Sequence, residues 1–288
     1  MKDKVVLITG GNAGIGKATA IALAKLGATV IIGCRDERKG IDAVRQIRLI
    51  SGNPDVDLLL IDLASQKSVR EAAEDFKERY SHLHVLINNA GVFLPNREVT
   101  EDGIEKTFAT NYLGHFLLTH LLLDTLKASA PSRIICVASK HNGIKMNLDD
   151  LMSEKKFSTL GAVGPTKLGL VIFAKELSKH LVNTGVSINS LHPGLTDTTL
   201  LKDTSFLMRL VFRLLPKNTP EKSAETSVYL ASSPDVEYVS GKFFADKKEE
   251  ETASGANDEA LNKRFYELSL KLAHLTEDIH EPEIFAEF

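Results

Sequence analysis

Short apolar runs alternate with longer amphipathic stretches along most of the chain. A continuous apolar run is typical of a buried strand, whereas an apolar position at every third or fourth residue is typical of a helix. The apolar runs predict strands at 5–9, 29–33, 58–61, 85–87, 133–137, 186–191 and 241–245. The amphipathic stretches predict helices at 17–26, 37–49, 65–80, 103–127, 161–181, 221–232 and 259–273.

Strands and helices therefore alternate, with short connections between them. This order predicts an α/β fold, a single Rossmann-type doubly wound parallel sheet flanked by helices on both faces. Ligands of such sheets bind beyond the carboxyl ends of the strands. Because polar or glycine-containing loops follow most of the predicted strands, we expect these loops to form one ligand-binding surface.

Composition and charge exclude several classes of function. The net charge of −3 argues against nucleic-acid binding, which needs a basic surface. Cys34 and Cys136 lie in apolar runs, so we expect buried thiols in a reducing compartment, with no disulfide and no metal site. We find no signal peptide and no apolar run near the ~20 residues that span a bilayer, and we expect a cytoplasmic protein.

A glycine-rich turn follows the first predicted strand. Gly10, Gly14 and Gly16 let the backbone approach a pyrophosphate, and the amides at the start of the next helix favour negative charge. We expect Asn12 and Ile15, inside the same turn, to contact the ligand as well. Such a turn also occurs in proteins that bind no nucleotide, so its meaning depends on the rest of the chain.

Further motifs follow the turn in a characteristic order. They are Asp62-Leu63, Asn88-Asn89-Ala90-Gly91, Asn111, Ser139, Lys167 and Pro193-Gly194. Together with the turn, they resemble the short-chain dehydrogenase/reductase family from about residue 4 to about residue 245. The segments at 33–36, 111–116, 151–155 and 191–194 are similar to its retinol-dehydrogenase-like branch. The resemblance implies an oxidoreductase that acts on hydrophobic alcohols and carbonyls.

The end of the second predicted strand indicates which nicotinamide cofactor is used. An NAD-binding fold usually has an acidic residue there, which binds the ribose 2′-hydroxyl. Here Cys34 takes that place and Arg35 follows it. A guanidinium suits a 2′-phosphate, and Lys17 could add positive charge. We therefore expect NADP(H) rather than NAD(H), although Asp36 could neutralise Arg35.

The resemblance implies further cofactor contacts. Asp62 and Leu63 would contact the adenine, and Asp62 could equally cap the next helix. Asn89 would line the adenine-ribose pocket or support the sheet. The loop that holds the nicotinamide carboxamide would contain Pro193, Gly194, Thr196 and Thr198.

The catalytic group of the family is Asn, Ser, Tyr and Lys. By resemblance, Asn111 supports a water and the lysine, Ser139 polarises the carbonyl oxygen, and Lys167 binds the ribose hydroxyls. The tyrosine should lie four residues before the lysine, one helical turn away. Val163 stands at that position, and the sequence has no tyrosine between Tyr112 and Tyr229 that could replace it.

Valine cannot transfer a proton, and a general acid typically contributes ~10²–10⁴-fold to the rate. Three interpretations remain open. Another donor, such as His141, Lys140 or a water, could take over, although residues of these two types in a loop are more often ordinary solvated side chains. Alternatively the chain is an inactive NADP(H)-binding pseudoenzyme or scaffold. It could also be a repurposed non-redox enzyme, since Gly164 and Pro165 depart from the family too.

The segment 205–217 combines an apolar face with basic residues. The resemblance places it in a lid at about 196–220, which implies a hydrophobic small-molecule substrate. The segment could also touch a membrane surface or pack on the protein itself. The first strand begins at Val5, so we expect no N-terminal membrane anchor. The resemblance also implies a homo-oligomer formed through the helices at 103–127 and 161–181.

We assign residues 1–245 to one dinucleotide-binding domain. The remainder, 246–288, begins with a charged stretch at 246–258 that predicts a solvated loop. The helix that follows, at 259–273, is expected to be peripheral.

Overall fold

A single, mostly parallel sheet organises the structure. The computed structural model of the protein describes residues 1–140, 144–196, 218–252 and 254–275. Its strands are β1 Val5–Thr9, β2 Thr29–Cys34, β3 Val56–Leu60, β4 Val85–Asn88, β5 Ser132–Val137, β6 Val186–His192, β7 Phe243–Ala245 and β8 Lys248–Glu250. They are ordered β3-β2-β1-β4-β5-β6-β7-β8, and all neighbours are parallel except β7 and β8. The predicted α/β fold is confirmed.

Helices connect these strands. They are α1 Gly14–Lys25, α2 Glu37–Ser51, α3 Gln66–Arg79, α4 Lys106–Phe108, α5 Gly114–Leu121, α6 Leu123–Ala128, α7 Thr159–His180, α8 Pro220–Ser232 and α9 Glu259–Leu272. A π-helical turn, Ala109–Leu113, joins α4 to α5. The predicted continuous helix at 103–127 is therefore interrupted, and Asn111 lies inside the interruption.

The sheet is covered by apolar side chains on both faces. Neighbouring residues of a strand point to opposite faces, so Leu7 of β1 belongs to one core and Ile8 to the other. Ile31 and Ile32 divide in the same way on β2. This burial on both sides explains why the strands read as continuous apolar runs rather than as alternating patterns.

The charged stretch after β7 is partly a strand, which corrects the expected loop at 246–258. Asp246 and Lys247 have positive φ angles of 48° and 64°, a combination that forms a tight hairpin turn. The chain then returns as β8 along β7. Its charged side chains suit an edge strand, and Glu249 forms an ion pair with Lys242 at 2.8 Å.

Helix α9 is not peripheral, contrary to the expectation from sequence. Phe265 is 0% exposed and Tyr266 is 6% exposed, and both belong to the main core. Ring contacts join Phe265 to Tyr112 at 4.8 Å and Tyr266 to Phe116 at 5.3 Å. The helix therefore completes the hydrophobic layer on one face of the sheet.

None of the helices within the described ranges is long and apolar enough to cross a membrane.

Candidate functional site

The glycine turn lies at the carboxyl end of β1. Gly10 and Gly14 have φ angles of 65° and 51°, in the region that glycine adopts most easily. Gly16 lies so close to the turn that a Cβ there would be 2.4 Å from the Gly10 carbonyl oxygen. Helix α1 starts at Gly14, and Ala13 offers its first amides no side-chain cap. An uncapped helix start of this kind can bind an anion through its backbone amides.

Thr9 ties the turn to the loop after β4. Its buried Oγ1 accepts hydrogen bonds from the backbone amides of Asn89 and Ala90, at 2.9 and 3.0 Å. The Asn89 amide group donates to the Thr9 carbonyl oxygen at 2.8 Å. Asn89 therefore supports the turn through its side chain and remains half-buried at the site.

His115 is a further member of this network that sequence reasoning did not single out. Its Nε2 lies 2.9 Å from Thr9 Oγ1, and its Nδ1 lies 3.2 Å from the Asn111 carbonyl oxygen. Burial, and then the charge of Lys167, lower the pKa of His115 to about 3. The imidazole is therefore neutral at physiological pH and acts as a hydrogen-bonding link. The one signal of this network available in the sequence was Thr9, a polar residue at the end of the apolar run that forms β1.

Arg35 is exposed and lies just beyond β2. It is next to the glycine turn because the Gly10 amide donates a hydrogen bond to the Gly33 carbonyl oxygen at 2.8 Å. Asp36 does not neutralise it. The Asp36 carboxylate caps α2 through the Lys39 amide at 3.0 Å and pairs with the Lys39 ammonium at 3.1 Å. Within the described ranges, no acidic side chain forms an ion pair with Arg35.

Asp62 and Leu63, the other two predicted cofactor contacts near the glycine turn, stabilise the local structure. Asp62 accepts a hydrogen bond from the Ala64 amide at 3.0 Å and is half-buried, so its carboxylate shapes the loop after β3. The Leu63 carbonyl oxygen would lie 2.4 Å from a Cβ at Gly114, so the loop packs tightly on α5. The Lys17 ammonium donates to the Gln46 side chain on α2.

The predicted catalytic residues Asn111 and Lys167 are brought close together. The Asn111 carboxamide binds the Val92 backbone in both directions, accepting from its amide at 2.7 Å and donating to its carbonyl at 3.0 Å. The Lys167 ammonium donates to the Val137 carbonyl oxygen at 2.8 Å. A Cβ built at Gly91 would lie 3.5 Å from Asn111 Oδ1 and 3.7 Å from Lys167 Nζ.

Lys167 is electrostatically unusual. Its side chain is desolvated, and burial lowers its pKa to about 8. No carboxylate within the described ranges forms an ion pair with it. The ammonium is thus mostly protonated at neutral pH and close to its titration point.

Ser139 and Val163 are the other members of the predicted catalytic group. Ser139 follows β5 and is half-buried, and its hydroxyl makes no hydrogen bond to any described residue. Val163 is 3% exposed and lies one turn before Lys167 on α7. The only polar atoms of Val163 are those of its backbone, and its carbonyl oxygen accepts a hydrogen bond from the Thr166 hydroxyl of the same helix at 2.7 Å.

The loop after β6 holds Pro193, Gly194 and Thr196. Gly194 has a φ of 79°, and the Thr196 hydroxyl lies 2.5 Å from the Ser223 hydroxyl on α8. The Lys140 ammonium forms an ion pair with Glu250 of β8. Thr198, His141 and the segment 205–217 lie outside the described residues, as does most of the predicted lid at 196–220.

Comparisons with known proteins show similarity over most of the chain. Residues 4–206 match the family model described as short chain dehydrogenase. The chain is 42% identical to retinol dehydrogenase 14 of Homo sapiens, over 93% of this chain and 86% of that protein. It is 43% identical to retinol dehydrogenase 13 of Homo sapiens, over 94% and 85%.

Solved structures share the fold. An uncharacterised protein from Mycobacterium paratuberculosis superposes with a TM-score of 0.78 at 30% identity, covering 95% of this chain and 94% of that one. The NADP complex of RhlG from Pseudomonas aeruginosa gives a TM-score of 0.69 at 24% identity, covering 89% and 97%. The second likeness supports the fold alone.

Proposed function

Since the chain belongs to the short-chain dehydrogenase family, we propose that it is an NADP(H)-dependent oxidoreductase for hydrophobic alcohols and carbonyls with an impaired acid–base step. The observation that carries this proposal is the pairing of Val163, an apolar side chain, with the desolvated Lys167 one turn later on α7. The chain is homologous to the retinol dehydrogenases, and the hydrophobic alcohol in their name motivates the hydrophobic substrate class.

The residues present fit a nicotinamide dinucleotide. The uncapped start of α1 and the close approach at Gly16 suit a pyrophosphate, since both offer backbone amides without side-chain bulk. The exposed guanidinium of Arg35, which has no ion-pair partner among the described residues, suits the 2′-phosphate that distinguishes NADP(H) from NAD(H). Arg35 is the main support for the cofactor preference.

Ser139, Lys167 and Asn111 would have different roles in the proposed reaction. The bound cofactor supplies or accepts the hydride. Ser139 offers a hydroxyl with no described partner, which can polarise a carbonyl oxygen by donating a hydrogen bond. Lys167 keeps a positive charge in a desolvated position, and Asn111, fixed by Val92, stays beside it.

Proton transfer is the step that these residues support poorly. Val163 has no group that can donate or accept a proton at the substrate oxygen. Loss of a general acid raises the barrier by roughly 3–5 kcal/mol. We propose that turnover, where it occurs, draws its proton from a water beside Asn111 and Lys167, or from His141.

A catalytically inactive NADP(H)-binding protein is the second candidate. It is favoured by Val163, which is 3% exposed and supplies no proton donor one turn before Lys167 on α7. A hydrophobic small-molecule ligand is common to both candidates. Homo-oligomerisation, a cytoplasmic location and membrane contact through 205–217 stay predictions.

Cofactor titration and steady-state kinetics test the proposal together. We expect calorimetry to give at least tenfold tighter binding of NADPH than of NADH, since a hydrogen bond to a charged group contributes about 1.5–3 kcal/mol. With NADPH and a panel of medium-chain aldehydes, retinal and steroid ketones, we expect turnover below about 0.1 s⁻¹, against an ordinary ~10 s⁻¹. Ordinary turnover would contradict the impaired step, and failure to bind NADPH would contradict the whole assignment.

A further inference from the structure

Helix α9 packs behind the two segments that carry Asn111 and Lys167. Its inward face includes Phe265, Tyr266 and Ser269, which are all buried. Its carboxyl end is tied to α3, because the Gln66 side chain donates to the Leu272 carbonyl oxygen at 2.8 Å and Arg70 donates to that of Ala273 at 2.8 Å. The helix is thus held in place independently of its contacts with the site.

The first contact is with the π-helical turn. Tyr112 directly follows Asn111 in that turn and is 0% exposed. Its hydroxyl lies 2.8 Å from Ser269 Oγ, and its ring centroid is 4.8 Å from that of Phe265. Single π-helical turns are rare and frequently occur at functional sites, so the surrounding structure has to stabilise them. Here α9 stabilises the turn through Tyr112, while Val92 binds Asn111 itself.

The second contact is with α7. Gly169 lies two residues after Lys167, and a Cβ built there would lie 3.0 Å from both Phe265 Cζ and Tyr112 Cδ2. A glycine inside a helix is destabilising by about 1 kcal/mol relative to alanine. The absence of a side chain at Gly169 lets α7, the π turn and α9 pack closely, and a Cβ there would push its neighbours apart. The spacing of Lys167 from Asn111 therefore depends on the packing at this junction.

We propose that Ser269 and Phe265 are positioning residues of the site, which hold Asn111 and Lys167 at their mutual spacing through Tyr112 and Gly169. Both side chains are fully buried and would act through these two neighbours, without direct contact with a bound ligand. The inference rests on the proposed function only in treating Asn111 and Lys167 as parts of a cofactor site. The spacing itself is a property of the chain without ligand.

The chain offers a matched control on the same helix. The Tyr266 hydroxyl lies 3.0 Å from His120 Nε2, so it also joins α9 to a neighbouring helix through one buried phenol. His120 lies on α5, nine residues beyond Asn111. Tyr112→Phe and Tyr266→Phe therefore each remove one hydroxyl from the α9 interface, but only the first change is next to Asn111. Ser269→Ala is a second way to remove the Tyr112 contact.

The experiment measures the titration of Lys167 by NMR of isotope-labelled lysine in the unliganded protein, with Lys167→Arg assigning the signal. We expect Tyr112→Phe and Ser269→Ala to raise the titration midpoint by about half a pH unit or more, since loosened packing admits water. NADPH affinity should fall severalfold in the same variants. Tyr266→Phe should lower the melting temperature similarly and leave both quantities unchanged.

An equal shift in all three variants, or no shift in any of them, would overturn the proposal, because α9 would then have only a structural role. If the Lys167 midpoint shifts as expected but the wild type does not bind NADPH, the positioning role stands and the proposed function fails. The two failures are therefore distinguishable.

Discussion

The two halves of the candidate site are built differently. In the half around the glycine turn, Thr9, Asn89 and His115 form a continuous buried hydrogen-bond network. In the half around Lys167, the ammonium has one described acceptor, the Val137 carbonyl, and its helical neighbour Val163 is apolar. Under the proposed function, the glycine-turn half serves cofactor binding, and the missing proton donor concerns position 163 alone, so cofactor binding could persist where proton transfer is lost.

The largest expected effect comes from Val163→Tyr. Restoring a hydroxyl one turn before Lys167 should raise kcat/KM for carbonyl reduction by ~10²-fold or more. NADPH oxidation over the substrate panel measures it. Val163→Phe is the control, because it adds the ring without the hydroxyl. A gain in the phenylalanine variant equal to that in the tyrosine variant would show that packing, rather than a proton donor, limits the rate.

Arg35→Ala tests the glycine-turn half. Removing the exposed guanidinium should weaken NADPH binding by about 10–100-fold, as expected for a lost charge-assisted contact. NADH binding should change little, and calorimetry with both dinucleotides measures the difference. Equal losses for the two would mean that Arg35 supports the fold instead of recognising a phosphate.

Thr9→Val tests the network itself. The change keeps the shape of the side chain but leaves the Asn89 and Ala90 amides without their acceptor. We expect a loss of about 1–3 kcal/mol in the free energy of unfolding, measured by urea titration. Thr9→Ser retains the hydroxyl and should lose much less, and similar losses in both would point to methyl packing.

The pH dependence of NADPH binding tests Lys167. Its pKa is lowered to about 8 by burial, so the positive charge is present below that pH and is lost as the pH rises through it. Affinity should therefore fall severalfold between pH 7 and pH 9, on the order of 1 kcal/mol. The profile of Lys167→Met should be flatter, and an unchanged slope would assign the titration to another group.

Lys140→Met should have the smallest effect. The Lys140 ammonium is engaged with Glu250 at the edge of the sheet, so we do not expect it to serve as the missing proton donor. Turnover should change less than about twofold, and stability by no more than about 1 kcal/mol, as for a surface ion pair. A tenfold loss of turnover would identify Lys140 as the replacement donor.

The fold could be predicted closely because parallel strands buried on both faces produce long apolar runs. The errors occurred where that signal was absent. Strand β8 consists of Lys248, Glu249 and Glu250, whose charges resemble a loop until the turn at Asp246 and Lys247 is known. Helix α9 was expected in the right place, but its apolar spacing did not reveal that Phe265 would be fully buried.

The sequence by itself determined the alternation of strands and helices, the glycine turn, the position of Arg35 and the presence of valine before Lys167. These are local features, since each depends on neighbouring residues along the chain. Only the tertiary structure decided that Thr9 binds the loop after β4, that Asp36 caps α2 instead of pairing with Arg35, and that α9 packs on Tyr112, the neighbour of Asn111. The Tyr112–Ser269 bond joins residues 157 positions apart, and no local periodicity encodes a contact across that distance.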